Sequence, residues 1–224
     1  MRLIIATPSP FARKARIALL EKGIAFETVI DNPWNPNAQA PEHNPLGKIP
    51  VLLTDDGGVA GNGTMQGATA LGGVVYDSTV IIGYLEALYP GTPLLPRVPL
   101  ARVAARQIEA LADGVCDAIV LIVLERARPA GLQSRDWINR QVAKVQAGVA
   151  QAAQALAGNE FFIGGRFSVA DIAVGCMLGY LDLRLPEFEW RAEQSGLIPF
   201  YERMMARDSF KQTVPSAQPI NQIK

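Results

Sequence analysis

The sequence predicts an α/β unit followed by an all-helical one. Three observations carry this. Strand signals are confined to the first ninety residues, long helical periodicities fill the remainder, and a stretch with Pro90, Gly91, Pro93 and Pro96 separates the two. The expected division is 1–90, 97–213, and an extended tail at 214–224.

Residues 2–6 are apolar and β-prone and stop at prolines, which predicts a buried strand. Ser9 then suits an N-cap, and Pro10 suits the first helical position, where its missing N–H costs nothing. In that helix Ile17, Leu20 and Ile24 fall on one stripe, with Arg13, Lys14 and Arg16 largely opposite, and Gly23 fits the left-handed residue past the end. A second strand is expected at 26–30, a Pro/Asn-rich loop at 32–47, a third strand at 49–54 and a fourth at 74–76. Asp77-Ser78 caps a helix to about Leu88. Beyond the separator, helical patterns cover 99–128 (ended by Pro129), 134–156, a stretch from Ser168, and 198–207. Ser168-Val169-Ala170-Asp171 reads as a capping box with Phe167 and Ile172 as its hydrophobic staple. Between strands three and four, 57–76 holds no charged residue and seven glycines in twenty, a long loop insertion that is either plain hairpin or a lid or partner contact.

About half of the 224 residues are hydrophobic, enough for a sizeable core. Basic and acidic residues balance at 21 each, so net charge favours neither a nucleic-acid partner nor an anionic membrane. Cys116 and Cys176 form no C-x-x-C, which argues against a disulfide scaffold or a cysteine metal site; buried, inert thiols are expected. His43 is the single histidine and reads as a surface loop residue, so multi-histidine zinc sites and Ser-His or Cys-His pairs have little to draw on, and no metal is expected. The apolar start is too short for a signal peptide, and the longest aliphatic run in the helical half, 118–124, is far below the roughly 20 residues that span a bilayer. A cytoplasmic protein without membrane contact is expected.

Three stretches carry chemistry: Ser9-Pro10-Phe11-Ala12-Arg13-Lys14 at a strand-to-helix turn, Asn44-Pro45-Leu46-Gly47-Lys48-Ile49-Pro50-Val51-Leu52, and Tyr76-Asp77-Ser78 before a helix. In this order, with these flanking elements, they resemble the glutathione-binding half of the glutathione S-transferase family, most closely bacterial serine-type members and the plant tau class. The likeness extends over nearly the whole chain. It implies a thioredoxin-like α/β N-terminal domain, an all-α C-terminal helical bundle, glutathione as co-substrate and a homodimer.

The resemblance also implies roles. A cis bond before Pro50 would turn the Ile49 backbone toward the tripeptide, which pairs with it as an added strand; a trans proline at a strand edge is the alternative. Ser78 would hold the γ-glutamyl carboxylate at a helix N-terminus and Asp77 the ammonium, though an ordinary N-cap explains both. Lys48 would face the glycyl carboxylate, or be solvated. Ser9 is the candidate catalytic residue: its O–H would stabilise the thiolate, unless it only caps its helix, with Thr7 the second choice. The first tyrosine is Tyr76 and the first cysteine Cys116, so the family's tyrosine-type and cysteine-type chemistries lack their residue. The second substrate, a small electrophile, would sit between the domains against Phe11 and 116–123. The expected activity is transfer of an alkyl or aryl group to glutathione in detoxification. The alternatives are a non-catalytic glutathione-binding or protein-interaction module, or a glutathione-dependent peroxidase, dehalogenase or isomerase.

Overall fold

A computed structural model describes residues 1–54 and 73–218. The insertion expected at 57–76 therefore lies outside the described residues except for its last four, and the tail expected at 214–224 is described only as far as 218, where it forms neither helix nor strand.

Among the described residues, four strands form one mixed sheet in the order β2-β1-β3-β4: β1 (Arg2–Ile5), β2 (Glu27–Ile30), β3 (Val51–Leu53) and β4 (Val74–Val75). β1 runs parallel to β2, with Leu3 beside Thr28, and antiparallel to β3, with Leu3 beside Leu52. The parallel pair needs a crossover, and α1 (Pro10–Glu21) supplies it. β1 is buried on both faces, as its unbroken apolar run predicts. Leu3 and Ile5 pack into the main core, whereas Ile4 joins Val51 and Leu53 on the other side. This is the thioredoxin-like sheet that the resemblance implies. The short helix α2 (Ala40–His43) lies in the loop between β2 and β3 and places His43, half-buried, in a helix rather than an open loop. α3 (Ser78–Leu88) follows β4.

The rest is helical: α4 (Pro99–Arg126), α5 (Arg135–Leu156), α6 (Val169–Arg184), α7 (Trp190–Glu193), α8 (Ile198–Ala206) and α9 (Asp208–Lys211). α6 is the axis of this bundle, buried without a break over Val169–Leu181. Its start is fixed by the expected capping box: the Asp171 carboxylate accepts the Ser168 N–H at 2.8 Å. Asp171 also accepts the Phe162 N–H at 3.0 Å, pinning the preceding loop. Gly148 and Gly175 let α5 meet Val115 of α4, and α6 meet Phe210 of α9, at distances that a methyl group would obstruct.

One expectation for α1 is overturned. Arg13 and Lys14 are not on a solvent face; they are 3% and 1% exposed. The apolar stripe is instead Ala12, Ala15, Ile17, Ala18 and Leu19, with Leu20 and Ile24 only half-buried. The reason is that α1 packs against α3 and also against α6 and α9 of the bundle, which cover what would otherwise be a solvent face. Arg13 crosses that seam, donating to the Phe210 carbonyl at 3.3 Å beside Gly179, where a Cβ would stand 2.5 Å from its Nη1.

Glu21 closes the same seam at the far end of α1. It accepts from Arg207 Nε at 2.9 Å and Nη2 at 2.7 Å and from the Ser209 hydroxyl at 2.5 Å. Burial tends to raise its pKa, but Arg207 and Ser209 outweigh it and hold the carboxyl below its ordinary 4.5. A depressed carboxyl contributes stability that is complete above the unfolded value and is lost as pH falls through the folded one. Glu21→Gln is expected to lower the melting temperature at pH 7 by about 2–4 °C, equivalent to about 1 kcal/mol. Thermal melts against pH should show the gap between the two proteins closing progressively as pH falls below 4.5.

Candidate functional site

The start of α1 sets the first wall. The Ser9 N–H donates to the Ala6 carbonyl at 3.1 Å, and its Oγ accepts the Ala12 N–H at 3.1 Å. Capping uses only an acceptor lone pair, so the Ser9 O–H remains a donor. Thr7 is turned away: its hydroxyl donates to the Ser216 carbonyl in the tail at 3.1 Å.

The second wall is built by Asn44. Its Oδ1 accepts the Leu46 N–H at 3.1 Å and its amide donates to the Lys48 carbonyl at 2.9 Å. Gly47 supplies the left-handed turn (φ 61°) that a side chain would resist. The loop so shaped delivers Lys48, Ile49 and Pro50, and the Ile49–Pro50 bond is cis. The Tyr76–Asp77 bond is cis as well. Asp77 then caps α3, its Oδ1 accepting from the Thr79 N–H at 3.0 Å and the Val80 N–H at 3.3 Å, with Ser78 buried at the first position.

All of the predicted site residues, Ser9, Phe11, Lys48, Ile49, Pro50, Asp77 and Ser78, line one cleft of about 780 Å³. Two helix N-termini open onto it, a favourable setting for anionic groups. The opposite wall comes from α4 and α6, chiefly Asp117, Val120, Leu121, Leu124, Tyr180 and Arg184. The expected wall at 116–123 supplies Asp117, Val120, Leu121 and Val123, but not Cys116. Cys116 faces the core, 2% exposed, and burial drives its thiol pKa well up; burial likewise pushes Cys176 to about 12.

Several residues of the cleft escaped the sequence reading. Trp34 comes from the irregular loop and gave no periodic signal. Asp113 did leave one, because 113, 117, 120, 121 and 124 recur at helical spacing on one face of α4. Burial raises the Asp117 pKa; Lys48 opposes this and Asp77 adds to it.

Beneath the cleft lies a buried charge cluster. Lys14 of α1 reaches Asp113 at 2.5 Å and Glu109 at 2.9 Å, both on α4, and donates to the Thr79 hydroxyl of α3 at 3.4 Å. Arg106 holds the other Glu109 oxygen at 2.6 Å. Burial alone would lower the Lys14 pKa, but the two carboxylates override it and raise it above its ordinary value. The Asp113 pKa is also raised, burial outweighing the attraction of Lys14.

A thioredoxin-like sheet joined to a helical bundle, with the cleft at their seam, defines the architecture of the glutathione transferases. Family profiles agree: the glutathione S-transferase N-terminal domain matches residues 8–88 and the C-terminal domain residues 135–203. The uncharacterized GST-like protein YibF of Escherichia coli K12 is 36% identical over 220 residues, which is 96% of this chain and 98% of that protein. The crystal structure of a glutathione S-transferase from Methylobacterium radiotolerans in complex with glutathione sulfonate is 44% identical, with TM-score 0.89 over 100% of this chain and 98% of its own. One from Methylobacillus flagellatus KT with glutathione bound is 40% identical, with TM-score 0.86 over 96% and 99%. The chain belongs to the glutathione S-transferase family.

Lys14→Met should strand the Asp113 carboxylate and cost about 3 kcal/mol or more at neutral pH. Without its lysine the Asp113 pKa rises further, so between its unfolded and folded values the native chain holds more protons than the unfolded one. Stability then falls as pH rises through that window. Calorimetry should find the deficit of Lys14→Met shrinking as pH is lowered toward 4; a pH-independent deficit would assign Lys14 a packing role alone.

Proposed function

We propose that this protein binds glutathione in the cleft and joins it to an electrophilic small molecule, with Ser9 stabilising the thiolate. The observation that carries the reading is the convergence of Ser9, Ile49-Pro50 and Asp77-Ser78 on one cavity. The glutathione and glutathione sulfonate held by the two related structures support it.

In this reading the tripeptide pairs with the Ile49 backbone as an added strand. Its γ-glutamyl carboxylate meets Ser78 at the N-terminus of α3. Its ammonium faces the acidic end of the cleft formed by Asp77, Asp113 and Asp117. Lys48, exposed at the rim, meets the glycyl carboxylate. The sulfur is delivered to the start of α1. A free thiol near pKa 8.5 is mostly protonated at pH 7, and each unit of depression requires about 1.4 kcal/mol of preferential thiolate stabilisation. A hydroxyl donor beside a helix N-terminus supplies an effect of that size. The thiol proton leaves to solvent; the sulfur then attacks the electrophilic carbon. With a chlorinated arene a C–S bond forms, the C–Cl bond breaks, and chloride departs with its electron pair.

We also read 1–90 and 97–213 as two domains of a cytoplasmic detoxifying enzyme that works as a homodimer. Val80 on α3 and Val98, Leu100 and Val103 around the start of α4 are each more than half exposed. A second copy would cover them, and light scattering should report a dimer that Leu100→Glu converts toward monomer.

Ser9→Ala is expected to lower chlorodinitrobenzene conjugation about 10–100-fold and to move the alkaline rise of its kcat/KM by a unit or more toward high pH. Glutathione affinity by calorimetry should barely change, and Ser9→Thr should keep part of the rate. Undiminished turnover by Ser9→Ala would remove Ser9 from the mechanism. Glutathione binding without turnover of any electrophile in the wild type would favour the non-catalytic module.

A further inference from the structure

The cleft is graded along its length. α4 and α6 run in parallel, as shown by Arg126 at the end of α4 pairing with Glu187 just past α6 at 2.5 Å. From Asp113 to Leu124, α4 advances about 16 Å at 1.5 Å per residue. The end near α3 is acidic, with Asp77, Asp113 and Asp117; the far end is apolar, with Val120, Leu121 and Leu124. Tyr180 and Arg184, at the end of α6, border that apolar part.

Arg184 differs from the arginines around it. Arg126, Arg191 and Arg207 each pair with a carboxylate within 2.7 Å. Among the described residues no carboxylate pairs with Arg184, and its Nε is buried without a hydrogen-bond partner. Arg184 lies against Tyr180, whose ring centre is 5.9 Å from the guanidinium carbon and whose phenol oxygen accepts a hydrogen bond from it. Burial pushes the Tyr180 phenol to about 12 although Arg184 opposes it, so the phenol is neutral and gives the arginine no counter-ion. A half-buried guanidinium above an apolar wall, one side of it open to a cleft, is a receptor for a carboxylate, which it can grip with two N–H groups.

We propose that the second substrate is an apolar electrophile bearing a carboxylate, and that Arg184 reads this group. The proposal rests on the glutathione reading of the same cleft. Its test uses binding, which does not require turnover. Calorimetry would compare glutathione, S-(2,4-dinitrophenyl)glutathione and the S-conjugate of 4-chloro-3,5-dinitrobenzoate on the wild type, Arg184→Met and Arg184→Lys. The expected result is a loss of about 10–100-fold in Arg184→Met for the carboxylated conjugate relative to the neutral one, with partial recovery in Arg184→Lys. The ratio of kcat/KM for the two parent chloroarenes should fall in parallel. An unchanged ratio of affinities in Arg184→Met overturns the proposal and leaves the glutathione reading standing. So does an equal loss for glutathione itself, which would give Arg184 to the tripeptide's own carboxylate. Failure of the wild type to bind glutathione or either conjugate overturns both.

Discussion

Everything at the seam depends on one buried lysine. Lys14 sits on the helix whose start carries Ser9, and it is tied to two carboxylates of α4, the helix that forms the opposite wall of the cleft. It also touches Thr79, next to the capping pair of α3. Three elements that meet the cleft are thereby indexed to one ammonium. A cluster of this kind is weak evidence for net stability, because desolvating the ions offsets much of their attraction. It does discriminate among arrangements. Any slip of α4 against α1 would leave the Asp113 carboxylate buried without its Lys14 partner. Arg13, which reaches the Phe210 carbonyl, and Glu21, which pairs with Arg207, add further ties, so α1 is pinned to the bundle at both of its ends.

Much of this was legible in the sequence. The apolar run at 2–6, the Ser9-Pro10 cap, the capping box at Ser168 and the stops at Pro129 and Gly158 are local signals, and local physics decides them. The three motif stretches were legible in the same way, each being a turn with restricted backbone chemistry, and they meet at one cleft. What did not show was the environment of α1. A charge on a helix reads as a solvent face until a second layer covers it, and the acids that cover Lys14 lie 95 and 99 residues further along. Trp34 was hidden for a different reason, since an irregular loop has no period to betray which side chains point inward. Arg184 was hidden because nothing local distinguishes a cation at a helix end that lacks a carboxylate partner from one that has it.

The helix starts at the cleft serve two ends at once. Ser9 and Asp77 satisfy orphan N–H groups of their helices, which any N-cap does, yet each spends only part of its hydrogen-bonding capacity in doing so: Ser9 keeps its O–H, and Asp77 keeps Oδ2. Such residues are held in position by the fold itself. No separate scaffold is needed to aim them, and substituting one of them affects the helix and the site together. Conservative variants that keep the cap therefore matter more here than alanine alone.

Charge in the cleft completes the argument. Asp77, Asp113 and Asp117 gather at one end, and the carboxyls of Asp113 and Asp117 are pushed up by burial despite nearby lysines. A ligand ammonium arriving beside them would lower their pKa values toward normal, and by linkage their ionisation would strengthen its hold. The neighbouring helix N-termini act in the opposite sense and favour a carboxylate. A zwitterionic end group, with its ammonium and carboxylate on one carbon, satisfies both demands at once, whereas a simple cation or a simple anion satisfies one and opposes the other. In the proposed glutathione reading, the acidic end of the cleft therefore favours an amino-acid head group on electrostatic grounds, independently of the strand-like pairing proposed at Ile49.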